Sequence, residues 1–322
     1  MANPITDWLG DSAGESFDGV VRRFAEDSWS FLKGAFEGSN LSPQWWAGVV
    51  GAGDDPGMLR VLLVAMLPLL VALVGIQVAS GVLQGRSEKI LRGAAMAFAG
   101  VPLTLAAVTA IMALGGAFDG MTDFILSANG EEANMSGFMK LFGFELNDKG
   151  EFQSVNSEYN IWRGVGKGDG GFAMIVPALL AAVMWLVSMF LGLMMSLRTM
   201  LLVFLTAFAA IAIFGLSLDA TKAWFSRWVA MIVGLLLAKP MAAAVLVMGL
   251  STFRYAATTQ QFVSGLVAVF IGAVMPLAAM SLLGFTAVQA SNNAERSVTG
   301  AAAAPTRVAG RGIGAITRIV RR

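Results

Sequence analysis

Six apolar runs, each long enough to cross a lipid bilayer, constrain this 322-residue chain more than any other feature. A membrane-spanning helix needs about 20 consecutive apolar residues, whereas a soluble helix shows apolar residues on one face only. The composition agrees, since 13% of the residues are charged against about 25% in soluble proteins. The sequence therefore predicts an all-α, polytopic integral membrane protein with five or six transmembrane helices.

The apolar runs divide the chain into segments. The runs cover residues 59–83, 94–118, 172–195, 200–218, 224–250 and 262–288. We expect an acidic N-terminal segment with an amphipathic helix (1–57), a first transmembrane hairpin (58–118), a large loop (119–170), a C-terminal transmembrane bundle (171–288) and a basic, disordered tail (289–322). The amphipathic helix either packs on the rest of the protein or on its oligomer partner, or it lies in the membrane interface. Trp45 and Trp46 precede the first run, where aromatic belts normally lie.

Charge is distributed unevenly between these segments. Segments 1–57 and 119–170 hold nine acidic residues each, which together are 18 of the 21 in the chain. Basic residues instead concentrate in the hairpin GRSEKILRG, residues 85–93, and in the tail. Cytoplasmic loops of membrane proteins are enriched in Lys and Arg. The N-terminus and the 119–170 loop would lie outside, and the hairpin and tail in the cytoplasm.

The number of crossings stays open on these grounds. A chain that starts outside and ends inside crosses the membrane an odd number of times, yet six runs are present. In one arrangement, residues 219–250 form a broken, re-entrant hairpin, which leaves five crossings. In the other, they form a kinked full span, and six crossings place the tail outside against its charge.

The absence of two residue types excludes most catalytic chemistry. The chain contains neither cysteine nor histidine, which removes thiol nucleophiles, haem and iron–sulfur ligation and most zinc sites. It also lacks the P-loop sequence for nucleotide binding, and the predicted spans contain no carboxylate. We therefore expect a non-enzymatic protein without catalytic residues, cofactors or metal sites.

One apolar segment carries unusual polar residues. The stretch LDATKAWFSRWVAMIVGLLLAKP, residues 218–240, supplies the candidates for an assembly or pore site, which are Trp224, Arg227, Trp228, Lys239 and Pro240. A lysine at the middle of a span costs about 2.5–3.5 kcal/mol, and no predicted span offers a carboxylate to pair with it. Pro240 also leaves a backbone carbonyl without its helical donor. Lys239 therefore either reaches a polar cavity or a partner subunit, or it snorkels to the membrane surface.

The order of the segments and one motif resemble a known family, the TrbL-like polytopic inner-membrane subunits of type IV secretion (conjugal transfer) systems of the Gram-positive conjugative-element type. The shared order covers roughly residues 45–290. The motif is an A-T-x-x-W segment with basic residues, followed by a leucine-rich run that ends in Lys-Pro. The matching residues are Ala220, Thr221, Trp224, Arg227, Lys239 and Pro240. The chain departs from the family at residues 205–210, where members often carry a proline.

This resemblance implies a scaffold or channel subunit in the bacterial cytoplasmic (inner) membrane that assists the passage of DNA or protein. The implied partners are secretion ATPases, a pilin-like protein, a cell-wall hydrolase, membrane lipid, further copies of the chain in a homo-oligomer and, transiently, translocated DNA. The alternative is a secondary transporter or small-solute channel that forms a homo-oligomer. In that case Lys239 would contribute to a ring of charge that lines the pore.

Overall fold

The structure is a computed structural model that describes residues 4–51, 57–146, 152–154, 172–218, 220–256, 258, 260–261 and 263–278. The elements in chain order are α1 (Pro4–Glu37), α2 (Pro43–Val50), α3 (Met58–Leu83), α4 (Ser87–Ser127), α5 (Glu131–Lys140), β1 (Phe144–Leu146), β2 (Phe152–Ser154), α6 (Phe172–Ala207), α7 (Ala209–Phe214), α8 (Lys222–Tyr255) and α9 (Val263–Ala278). Strands β1 and β2 pair antiparallel, and Gly215–Ser217 form a 3-10 turn after α7.

Four of the described helices, α3, α4, α6 and α8, are long and apolar enough to cross a bilayer. The predicted helical class is therefore confirmed, although the small hairpin of β1 and β2 lies in the segment after α5. The predicted disordered tail, 289–322, and the end of the last apolar run, 279–288, lie outside the described residues.

Helices α3 and α4 form an antiparallel hairpin. Its turn contains Gly85 at a φ of 62°, a left-handed conformation that glycine adopts without strain because it lacks a Cβ. The helices approach closely, since a Cβ added at Gly93 would lie 2.9 Å from the Val78 side chain. The buried residues of α4 recur every three or four positions and form one continuous stripe. They are Gly93, Met96, Gly100, Thr104, Val108, Ile111, Gly115, Asp119 and Thr122.

The third apolar run and the first part of the fourth, up to Ala207, belong to one helix. Helix α6 continues without interruption from Phe172 to Ala207, so the prediction of separate spans at 172–195 and 200–218 is wrong. The polar residues between the runs interrupt the hydropathy but not the helix, because they find partners within the fold. Thr199 donates its hydroxyl to the Met195 carbonyl at 3.1 Å, and Arg198 donates its Nε–H to the Leu235 carbonyl at 2.6 Å.

The chain breaks after α6, at Phe208, and continues as α7 and the 3-10 turn. The break lies in 205–210, the region in which the family that the chain resembles often carries a proline, yet this chain has none there. The Trp228 indole Nε1–H donates to the Leu205 carbonyl at 2.8 Å. The Thr221 hydroxyl donates to the Gly215 carbonyl at 2.6 Å. Side chains at the start of α8 therefore satisfy carbonyls on both sides of the break.

Helix α8 passes through Pro240 without a break. The broken hairpin at 219–250 is therefore wrong, and the continuous helix is the arrangement that forms. A proline inside a helix is tolerated where neighbouring groups satisfy the backbone. Arg198 bonds the Leu235 carbonyl, which directly precedes the carbonyl of Leu236 that Pro240 leaves without its helical donor.

Contacts along α8 set the directions of its neighbours. On α4, Gly115 meets Leu236 and Asp119 meets Lys239. Just after α4, Asn129 meets Ser251, so α4 and α8 run parallel. Helices α6 and α9 run antiparallel to α8. Their contacts pair Arg198 with Leu235, Leu205 with Trp228, Gly265 with Phe253 and Gly272 with Leu246.

Helix α1 packs lengthwise along α6. The Phe31 and Trp185 rings meet edge to face with centroids 6.1 Å apart, and a Cβ added at Gly192 would lie 3.8 Å from the Ala35 Cβ. Since both numbers increase together, the two helices run parallel. The amphipathic helix thus follows the packing alternative, with one face against the bundle.

The buried apolar side chains form two clusters stacked along the helix axes. The first contains residues of α1, α5, the first part of α6, the second half of α8 and α9. The second contains residues of α2, α3, α4, the end of α6, α7 and the first half of α8. On α6 the first cluster ends at Met195 and the second begins at Leu202, and on α8 the boundary lies between Leu236 and Ala242. Polar residues occupy the layer between them.

Candidate functional site

Three consecutive residues between α1 and α2, residues 39–41, are held by three different helices. The Thr199 hydroxyl of α6, which also donates to the Met195 carbonyl, lies 3.3 Å from the Ser39 carbonyl oxygen and shares its hydrogen between the two. Lys239 of α8 donates its ammonium to the side-chain oxygen of Asn40. The N–H of Leu41 donates to Asp119 Oδ2 of α4 at 2.8 Å. We call residues 39–41 together with Asp119, Thr199 and Lys239 the clamp, because they join the N-terminal segment to the bundle.

The clamp centres on a buried ion pair. Lys239 Nζ lies 2.8 Å from Asp119 Oδ1, and the side chain of Lys239 is 0% exposed. Both carboxylate oxygens of Asp119 are thus engaged, one by Lys239 and the other by the Leu41 N–H. Lys239 reaches its partners inside the fold, so it does not snorkel along a lipid-facing surface.

A second buried cation accompanies the pair. Arg198 is 0% exposed, and Asp119 attracts it electrostatically. Its Nε donates to the Leu235 carbonyl, whereas its two terminal nitrogens have no hydrogen-bond partner in the described part of the chain. In the described part of the layer, two buried cations, Arg198 and Lys239, therefore accompany one buried carboxylate, that of Asp119.

Burial makes these contacts energetically important. Removing one partner of a buried ion pair costs about 3–5 kcal/mol, because the other charge is left without compensation. The layer lies between two apolar clusters, where a charge without a partner is especially unfavourable. The clamp therefore specifies how the N-terminal segment, α4, α6 and α8 meet.

The expectation that Lys239 has no carboxylate partner in the same chain is wrong. The second apolar run ends at Phe118, which assigned Asp119 to the outer loop, but α4 continues to Ser127. Asp119 lies on the buried stripe of that helix, four residues after Gly115 and three before Thr122. This helical spacing is the sequence signal that could have identified it. Nothing in the local sequence indicates that Asn40 or Leu41 joins the same site.

The five candidate residues of the 218–240 segment do not form one site. Lys239 and Pro240 are buried in the polar layer, and Trp228 is buried below it, against the end of α6. Trp224 is 49% exposed, and Arg227 is also exposed. Since a helix rises about 1.5 Å per residue, Trp228 and Lys239 lie about 16 Å apart along α8.

Replacing Trp228 with phenylalanine tests its contact with the end of α6. The variant keeps an apolar ring but loses the bond to the Leu205 carbonyl, so we expect the free energy of unfolding to fall by about 1 kcal/mol. Chemical unfolding in detergent micelles would measure the change. Trp224→Phe is the matched control, because this side chain is half-exposed and should change stability by less than about 0.5 kcal/mol. Equal effects of the two variants would contradict the assignment.

A cavity of about 450 Å³ opens beside the clamp, between α1, α4, α5 and α8. Asn40, which binds Lys239, lines it. Across it, Lys33 of α1 binds Glu131 of α5 at 2.6 Å. The hydrogen bond to Glu131 raises the pKa of Lys33 above its ordinary value of 10.5, so Lys33 is charged at neutral pH.

No metal cluster is apparent in the residues that the structure describes, since no group of three or more His, Cys, Asp or Glu side chains is placed to hold an ion. The clamp consists of buried hydrogen bonds and ion pairs. Its polar groups bond other parts of the fold, so the role of the clamp is to hold helices together. Comparison with protein-family models, with curated proteins and with solved structures found no match to this chain.

Proposed function

We propose that this protein is a non-enzymatic scaffold or channel subunit of a type IV secretion (conjugation) machine in the bacterial cytoplasmic membrane. The resemblance in segment order and in the motif of residues 220–240 supports this proposal. The observation that carries it is the clamp, which fixes the acidic N-terminal segment to three helices of the bundle. A rigid joint between an outer segment and a membrane bundle suits a subunit that positions other proteins.

The motif residues would serve this role in two ways. Thr221 and Trp228 bond carbonyls on either side of the break after α6, and Lys239 belongs to the clamp. These three stabilise the subunit itself. Trp224 and Arg227 are exposed and remain available to lipid headgroups or to another subunit.

The helix directions also suggest a topology. Because the runs at 172–195 and 200–218 belong to one continuous helix and its short extension, five segments alternate in direction: α3, α4, α6 with α7, α8 and α9. Four of these segments are long enough to cross a bilayer, and α9 comprises 16 described residues of the apolar run 262–288. We infer that this run makes a fifth crossing, with the N-terminus outside and the tail in the cytoplasm. This topology agrees with the basic residues of the 85–93 hairpin and of the tail.

The transporter or small-solute channel is the second candidate, and the cavity beside the clamp favours it. Two observations favour the scaffold instead. Lys239 is fully covered by its own chain, whereas a pore-lining lysine faces water. Below the clamp, the described part of the bundle is packed with the apolar side chains of the second cluster, whereas a channel for polar solutes needs a polar lining.

Complementation of a deletion strain would test the proposal. We expect deletion of the gene to abolish conjugal transfer or secretion and the wild-type gene to restore it. Lys239→Leu should reach the membrane in normal amount but restore transfer at least about tenfold less well, because a loosened clamp misplaces the N-terminal segment.

Arg254→Leu is the matched control. It removes a cation from the same helix, but Arg254 is exposed near the end of α8, so transfer should stay at the wild-type level. Normal transfer by the Lys239→Leu strain would contradict the role of the clamp, and normal transfer by the deletion strain would contradict the proposed function itself.

A further inference from the structure

The cavity beside the clamp has walls of two chemical kinds. Six side chains give it apolar walls, which are Trp29, Leu32, Phe36, Leu126, Leu246 and Leu250. Its charged side chains are Lys33, Glu37, Asp123 and Glu131. At about 450 Å³, the cavity falls within the roughly 300–1,000 Å³ of small-molecule binding sites.

The charges in the cavity do not balance. Three carboxylates face one ammonium group, and Lys33 is already engaged by Glu131 at 2.6 Å and by Glu37 at 3.7 Å. Asp123 has no ion-pair partner in the described part of the chain, and it lies close enough to attract Lys239 electrostatically. The cavity therefore has an excess of negative charge, which disfavours an anionic ligand.

We propose that this cavity binds a cation on an apolar stem, that is, an alkyl guanidinium or alkyl ammonium group. The cation would pair with Asp123 near Glu37 and Glu131, and its stem would pack against Leu246, Leu250 and the ring of Trp29. An aromatic ring also attracts a cation placed over its face. The same chemistry is offered by the Arg or Lys side chain of a polypeptide and by a free small amine. The site goes beyond the scaffold role and does not depend on it.

The binding site would be coupled to the clamp. Asn40 lines the cavity and accepts the hydrogen bond from Lys239. A ligand in the cavity therefore lies next to the clamp. Asp123 follows Asp119 by one helical turn on α4. A bound ligand should therefore stabilise the clamp and the folded protein, since a ligand that binds only the folded state raises its stability.

Calorimetric titration of the full-length protein in detergent micelles would test this proposal. The probes are n-butylguanidinium, its neutral analogue n-butylurea and the peptide acetyl-Gly-Arg-Gly-amide. We expect saturable binding of the two cations and none of the neutral analogue. Tighter binding of the peptide would identify a polypeptide as the source of the cation, and tighter binding of n-butylguanidinium would identify a free small molecule.

Two substitutions give the matched comparison. Asp123→Asn should weaken n-butylguanidinium binding by about fivefold or more, as expected for the loss of one partly exposed charge pair. Asp27→Asn, which changes an exposed acid of α1 outside the cavity, should leave binding unchanged. Equal affinity of the Asp123→Asn and wild-type proteins, equal binding of n-butylurea, or no saturable binding of either cation would overturn the proposal.

Discussion

Replacing Asp119 with asparagine is expected to lower the free energy of unfolding by about 3–5 kcal/mol, the usual cost of leaving a buried charge without its partner. The effect should be large because Asp119 is the carboxylate shared by Lys239, Arg198 and the Leu41 N–H. Asparagine has nearly the same shape and can still accept the hydrogen bond from the Leu41 N–H. The loss of stability would therefore measure the contribution of the charge. Unfolding of the purified protein by a denaturing detergent would measure it.

The charge balance of the layer predicts an unequal response from the two partners. Asp119→Asn leaves the two buried cations, Lys239 and Arg198, without their buried carboxylate, whereas Lys239→Met leaves Asp119 with the attraction of Arg198. We therefore expect Lys239→Met to cost less than Asp119→Asn. Asp123→Asn, one helical turn further along α4, is the control and should change stability by less than about 0.5 kcal/mol. A destabilisation by Asp123→Asn as large as that by Asp119→Asn would contradict the ion pair as the centre of the clamp.

Truncation of Trp46 to alanine is expected to destabilise the protein by a similar amount, about 3–5 kcal/mol. Trp46 is 0% exposed and belongs to the second apolar cluster, where it anchors α2 between the clamp and α3. Removing the indole leaves a cavity that the surrounding side chains cannot fill. The same unfolding measurement applies, and a parallel loss of transfer activity would follow from the loosened N-terminal segment.

The adjacent tryptophan provides the control for this prediction. Trp45 is 40% exposed, so Trp45→Ala should change stability by less than about 0.5 kcal/mol. If both tryptophans instead served as headgroup anchors, the two variants would behave alike. Similar small effects of Trp46→Ala and Trp45→Ala would therefore contradict the buried position of Trp46.

Apolar run length predicted the helical class and most of the long helices, because lipid requires every backbone polar group to be satisfied within a helix. The same criterion failed at residues 196–199. Arg198 and Thr199 lower the local hydropathy, but their bonds to Leu235 and Met195 keep them inside a continuous helix. Hydropathy alone cannot distinguish a polar loop from a polar layer within a bundle.

The candidate site was predicted in part. Because burying a lysine costs free energy, the sequence indicated Lys239 as a candidate, and the structure gives it specific partners. Those partners are distant in sequence, with Asp119 at 120 and Asn40 at 199 positions from Lys239, and a single sequence holds no signal for such pairings. Trp46 shows the same limit, since tryptophan before a span is equally consistent with a headgroup anchor and with a buried anchor.

Purification of the tagged protein from its native membrane in mild detergent, followed by identification of the co-purifying proteins, tests the central claim most directly. A scaffold subunit of a secretion machine should be recovered with a secretion ATPase, a pilin-like protein and a cell-wall hydrolase. A strain that carries Asp119→Asn should yield less of these partners at equal membrane abundance. Recovery of the wild-type protein alone, as a defined homo-oligomer, would contradict the scaffold role and favour a transporter or channel.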